Sequence, residues 1–223
     1  MLSTKDMSAG GGRISPLMNP GNVTFKVNDV TLQQTPYDKD AYNIYLHIES
    51  KPIGGDFQGF LRDRNNEALG RYEGQVGRVR ASQYPFKDTT LPSGRDISRD
   101  QEILKTMIFL ASAFGVREEL DMIEADTIED FVSSAGPIIC TGSFVNACLG
   151  SREWENNEGY INNDLYLPRV SKDGVPIEQE GVENSRLLTF DRETHVRPVV
   201  KKESTETSKF EPTKSSVGDD FDL

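Results

Sequence analysis

Tyr42, Ile44, Leu46 and Ile48 alternate with Asn43, Tyr45, His47 and Glu49. This period of two marks a strand with one face on a core and one toward water. Val23, Phe25 and Val27 alternate in the same way, but the apolar side then shifts phase at Asn28-Asp29, so that Val30 and Leu32 continue it. A change of phase within one apolar run predicts a bulge or bend. Thr35 to Asp40 and Lys51 to Gly55 carry turn residues. Phe57 to Arg62 and Gly74 to Tyr84 read as further strands, the second with two glycines that permit strong curvature.

The period changes to that of a helix at Ile103, Leu104, Met107, Ile108, Leu110, Ala111 and Phe114. Asp96 or Ser98 can cap its start, and Gly115 stops it. A shorter helix is predicted over Thr127 to Ser134, with Asp126 or Thr127 at its N-cap. Ile138 to Leu149 then reads as a buried strand. Arg152 to Trp154 and Tyr160 to Val170 form the arms of a hairpin around Asn156-Asn157-Glu158-Gly159. The class is therefore α+β, mostly β with one main helix. Residues 1–21 read as a flexible Gly/Ser-rich arm, 22–170 as the globular domain, 171–200 as a loosely packed extension, and 201–223 as a disordered acidic tail.

A chain of 223 residues can bury a conventional core. No apolar run is long enough to span a bilayer, and Met1 to Arg13 lacks the apolar stretch of a secretory signal. A soluble, cytoplasmic protein is expected, with Cys140 and Cys148 as free thiols. The net charge of −11 argues against a nucleic-acid partner, but its distribution is uneven. Residues 51–100 hold nine Lys/Arg against seven Asp/Glu, whereas 101–135 hold two against eight. A basic segment is set in acidic surroundings.

Catalytic devices are hard to assemble from this sequence. His47 and His195 are the only histidines and neither has a partner nearby in sequence. Two Cys and two distant His do not meet the spacing of a zinc site, and no phosphate-binding glycine loop is present. The carboxylates from Glu118 to Asp130 could in principle hold two metals for a nuclease, but a solvated helix face explains them as well. No cofactor and no enzymatic activity are expected.

Binding is a different matter. Nonspecific single-strand binders combine basic groups for phosphates with aromatic faces for bases. Phe57, Phe60, Arg62, Arg64, Arg71, Tyr72, Arg78, Arg80, Tyr84 and Lys87 interleave the two, and Tyr45 joins them from the polar side of its strand. Arg78 and Arg80 share a face and form a candidate phosphate track, with Val79 turned inward. The competing reading makes the aromatics core and pairs the arginines with Asp63, Glu67 and Glu73. Trp154, Tyr160, Tyr166 and Arg169 offer a second surface on the hairpin, where Tyr160, Asn162, Asp164 and Tyr166 share a face expected to be exposed; Trp154, the sole tryptophan, reads more readily as a core anchor than as a stacking platform. Asp219, Asp220, Phe221, Asp222 and Leu223 place three carboxylates around two apolar side chains, a pattern suited to a pocket with a basic rim.

Five curved strands with a helix between the third and fourth, then a hairpin, is the order of an OB-fold, a five-stranded Greek-key barrel. The runs Asp56 to Asp63, Tyr72 to Val79, Leu110 to Val116 and Gly159 to Arg169 resemble OB-fold proteins of phage replication and recombination. The ending GDDFDL is similar to the acidic tails of bacterial and phage single-stranded DNA-binding proteins. The resemblance implies a barrel that coats single strands in an infected bacterial cell and a tail that recruits replication or recombination proteins. A homo-oligomer is compatible with it. The alternative is a virion or assembly adaptor that binds protein instead.

Overall fold

The two alternating runs of the N-terminal third become neighbouring strands. The structure, a computed structural model, describes residues 17–51, 61–62 and 76–199. Strand β1 (Gly21–Gln34) and strand β2 (Tyr42–Ser50) pair antiparallel, with Val27 opposite Ile48 and Leu32 opposite Ile44. Their register slips between Val27 and Asp29, the bulge expected from the phase change, and this keeps Phe25, Val27 and Val30 all buried. A bulge bends its strand, and β1 has two partners to serve. Its first half also pairs with β4 (Val145–Glu155), from Gly21 opposite Leu149 to Phe25 opposite Val145.

Closure follows from the remaining pairs. β3 (Val76–Arg80) lies antiparallel to β2, and β5 (Ile161–Tyr166) lies antiparallel to β4. β3 and β5 then meet in parallel at Arg80 and Tyr166, where the Leu167 N–H donates to the Arg80 carbonyl at 2.9 Å. The order β1-β2-β3-β5-β4 returns to β1, a closed, mixed five-stranded barrel of OB-like type. Its interior is filled by Phe25, Ile44, Leu46, Ile48, Val79, Ala147, Leu149 and Leu165.

Three helices lie between β3 and β4. Helix α1 (Arg99–Phe114) ends at Gly115, whose φ of 72° suits glycine, as its stripe predicts. Ser98 holds the N-cap position without a side-chain bond; Asp88 instead accepts the Arg99 N–H at 2.8 Å. After the short α2 (Arg117–Leu120), helix α3 (Ile128–Ile139) is capped by Thr127, whose hydroxyl accepts from the Asp130 N–H at 3.1 Å. α3 runs past the expected end at Ser134, through Pro137, and takes Ile138 and Ile139 with it. The strand expected from Ile138 therefore begins only at Val145. A short apolar run carries no period of its own, and Pro137 costs the helix one N–H bond with only two residues left to run.

The segment after residue 170 corrects an expectation. In place of a loosely packed extension with at most a short strand, residues 171–199 pack on the barrel, with Ile177, Leu188, His195 and Val196 buried. β6 (Ile177–Gln179) pairs antiparallel with the first half of β4, and β7 (Val196–Arg197), preceded by the helical turn α4 (Arg192–His195), pairs in parallel with its second half. The reason is the barrel itself. β1 covers one edge of β4 only in its first half and β5 the other edge only in its second. The two half-edges left open carry unpaired backbone groups, and β6 and β7 satisfy them. Asn22 ties this strap down, its amide donating to Leu188 O at 2.8 Å and accepting from the Phe190 N–H at 2.7 Å. Among the described residues no helix is long and apolar enough to cross a membrane. Cys140 and Cys148 are both free thiols.

Candidate nucleic-acid interface

Alternation along β3 turns Val79 into the barrel, fully buried, and sends Arg78 and Arg80 to the outer wall. Arg78 is exposed and lies over the Tyr45 ring, 4.1 Å from its centroid. Register explains the contact. Tyr45 stands opposite Arg80 and His47 opposite Arg78, so the Arg78 guanidinium reaches one diagonal step across to β2. Among the described residues no carboxylate pairs with it. His47 beside it is half-buried, with Nε2 3.1 Å from the Thr31 hydroxyl.

Arg80 differs. It is 6% exposed, its Nη2 is 3.0 Å from Asp164 Oδ2, and its Nη1 donates to Gln83 O at 3.3 Å. Its guanidinium also lies 5.8 Å from the centre of the Tyr166 ring. Tyr166 is 1% exposed and donates its hydroxyl proton to His195 O at 3.1 Å. Burial pushes its phenol above the usual tyrosine range, against the opposing hydrogen bond from Gln83. Two expectations are corrected here. The tyrosine face of the hairpin is exposed at Tyr160 and closed at Tyr166, because α4 and β7 lie over it. The two arginines expected to form a phosphate track are not equivalent, because Arg80 is held by a carboxylate inside the wall.

A second aromatic–basic group forms where two parallel strands end together. Because β3 and β5 run the same way, the residues that follow them emerge at one end of the barrel. Tyr84 and Arg169 meet there, with the guanidinium 5.2 Å from the ring centre. Arg197, from β7, approaches the same ring at 4.8 Å and donates to its hydroxyl. Tyr84, Arg169 and Arg197 are all exposed. Arg197 was not among the residues singled out from the sequence. It sits in a segment without apolar period, and only the pairing of β7 with β4 brings it to Tyr84. A groove of about 760 Å³ opens beside the cluster, lined by Tyr84, Lys87, Arg169 and an apolar wall that includes Phe86, Phe109 and Leu167.

The hairpin tip offers rings without charge. Asn156 organises the turn, accepting from the Glu158 and Tyr160 N–H groups at 3.0 and 2.9 Å, and Gly159 adopts φ 82°. Trp154 on β4 stands opposite Asn162 and is 49% exposed; Tyr160 is 66% exposed. The sole tryptophan is thus on the surface rather than a core anchor. Lys87, also exposed, is paired with Asp38 at 3.2 Å. That carboxyl is held below its usual range by the Asp40 N–H and by Lys87. Arg62 belongs to a two-residue strand, Leu61–Arg62, in which it pairs with Leu17. Phe57, Phe60, Arg64, Arg71, Tyr72 and the tip Asp219, Asp220, Phe221, Asp222 and Leu223 lie outside the described residues, as do Asp63, Glu67 and Glu73.

Groups for chemistry are few in this part of the chain. His195 is buried, stacked on Phe190, and its Nδ1 accepts from the Asp191 N–H at 2.9 Å. Among the described residues no cluster of His, Cys, Asp or Glu gathers to hold a metal ion. What the outer wall offers is an exposed arginine on a tyrosine, two arginines around another that have no carboxylate partner among the described residues, and two exposed rings at the hairpin tip. No protein-family model matches the chain, and no match to it was found among curated proteins or solved structures.

Proposed function

We propose that this chain binds single-stranded DNA without sequence preference, across the outer face of β2 and β3 and onto the β4–β5 hairpin. The observation that carries the reading is Arg78 lying on Tyr45 at 4.1 Å, exposed and with no carboxylate partner among the described residues. OB barrels take oligonucleotides on the face of their second and third strands and on the loops joining strands one to two and four to five. Tyr45 and Arg78 stand on that face, and Trp154 and Tyr160 flank the second of those loops. A guanidinium for the phosphate beside rings for the bases is what sequence-tolerant binding uses. The phage setting, a role in replication or recombination, and recruitment of partner proteins by Asp219 to Leu223 belong to the same proposal and rest on the resemblance.

The test is a titration of Trp154 fluorescence with oligothymidine and with a duplex of equal length. At about 50 mM salt the single strand quenches the signal and the duplex does so far less, with affinity falling steeply as salt rises. Absence of single-strand binding under those conditions ends the proposal.

A further inference from the structure

Arg197 reaches the barrel wall from a part of the chain that supplies no barrel strand. β7 is fixed to β4 by its pairing at Ser151 and Arg152. Gly150 lets this strap settle, since a Cβ there would stand 2.8 Å from His195 O. The result is a tyrosine ring with two guanidiniums against it, Arg169 at 5.2 Å and Arg197 at 4.8 Å from the centre of the Tyr84 ring. Neither arginine has a carboxylate partner among the described residues. Two guanidiniums that share one ring form a local patch of positive charge, and such a patch attracts anions. Gln83 lies between Arg197 and Tyr166: with its amide turned so that the oxygen faces them, it accepts from Arg197 Nε at 3.1 Å and from Arg197 Nη2 at 3.2 Å.

We infer that Arg169 and Arg197, held around Tyr84, form a second phosphate-binding station for single-stranded DNA, half of it supplied by the C-terminal strap. The inference rests on the proposed function and extends it. The station is continuous with the first. Tyr45 is opposite Arg80, Arg80 is beside Tyr166, and Gln83 joins Tyr166 to Arg197. A strand leaving Arg78 passes over the buried Arg80 and arrives at Tyr84. The neighbouring groove, with its apolar wall, receives the base attached to that phosphate.

The experiment compares labelled oligothymidine binding by the full chain and by Arg78→Ala, Arg197→Ala and Arg197→Lys over a series of salt concentrations. A single-strand phosphate contact contributes about 0.7 to the slope of log affinity against log salt. Arg197→Ala is expected to weaken binding roughly fivefold and to flatten the slope by that amount, while Arg197→Lys restores the slope. If Arg78→Ala weakens binding and Arg197→Ala leaves affinity and slope untouched, the second station is overturned and the first stands. Equal losses in Arg197→Ala and Arg197→Lys also overturn it, because they assign Arg197 to packing on Tyr84 rather than to charge. A parent chain that binds no oligothymidine overturns both.

Discussion

Two arginine–tyrosine pairs stand side by side on the outer wall of the barrel, Arg78 over Tyr45 and Arg80 over Tyr166. The arginines are two positions apart on one strand and face the same way. Arg78 is open to water; Arg80 is closed off by Asp164, Gln83 and the strap that crosses Tyr166. Strand position is common to both, so it does not decide their roles. What decides is the neighbour on the far side: β2, whose outer face no described element covers at this point, for Arg78, and β5, roofed by α4 and β7, for Arg80. A buried arginine that needs its carboxylate holds the wall together, whereas an exposed one on a ring is free to meet a phosphate.

Removing the inner arginine breaks the comparison most severely. Arg80→Ala leaves Asp164 without its partner at a buried seam and opens a gap beneath Tyr166. A loss of about 2–3 kcal/mol is expected, at the low end for a broken buried pair because Asp164 is partly solvated. Urea unfolding reads it as a lowered midpoint. Gly150→Ala attacks the roof instead. Its Cβ would meet His195 O and the Tyr166 ring at 2.8 Å, and one of these is backbone that cannot swing aside. About 2 kcal/mol is expected, together with faster proteolysis between residues 190 and 197. Trp154→Ala is the complementary change on the open side. The urea midpoint should hold, while oligothymidine binding, followed by gel shift, weakens by about 1–2 kcal/mol through the lost stacking platform.

The smallest effect comes from Cys148. Burial pushes its thiol up to about 11. The folded state therefore keeps its proton where the unfolded chain, with a thiol near 9, has begun to lose it. Stability from this group is complete below that unfolded value and is lost as pH rises toward about 11. At about pH 9 the loss is only a few tenths of a kcal/mol, visible as a difference in melting temperature between the parent and Cys148→Ala across an alkaline series. Reaction of the same thiol with a disulfide reagent should be slow in the parent and faster in Gly150→Ala, where the strap is lifted.

Alternation and turn chemistry made much of the barrel legible in advance. Tyr42 to Ile48 declared its strand, the phase change at Asn28-Asp29 its bulge, Ile103 to Phe114 its helix, and Asn156 to Gly159 its turn. Each is a local signal, carried by residues within one element. The misreadings have a common cause in distance. Tyr166 alternates as an exposed residue should, and its cover comes from His195, 29 positions on. Arg197 lies in a stretch with no period, and its place is fixed by Ser151 and Arg152. Ile138 and Ile139 had apolar character without periodicity, so their helix was invisible. Of the candidate site, the identities of Tyr45, Arg78, Tyr160 and Arg169 as surface groups were readable from pattern, whereas the exposure of Trp154 was not, because a lone tryptophan reads first as a core anchor. Which arginine stays open was not, because that depends on a carboxylate and a roof from other elements.

The most direct measurement sets Arg78→Ala against the parent chain in two assays, oligothymidine affinity over a salt series and urea unfolding. An open arginine on the binding face predicts affinity down by roughly tenfold, a shallower salt dependence and a urea midpoint that does not move. An Arg78→Ala chain that holds single-stranded DNA as tightly as its parent, or that loses affinity only in step with its fold, contradicts the division of labour between Arg78 and Arg80.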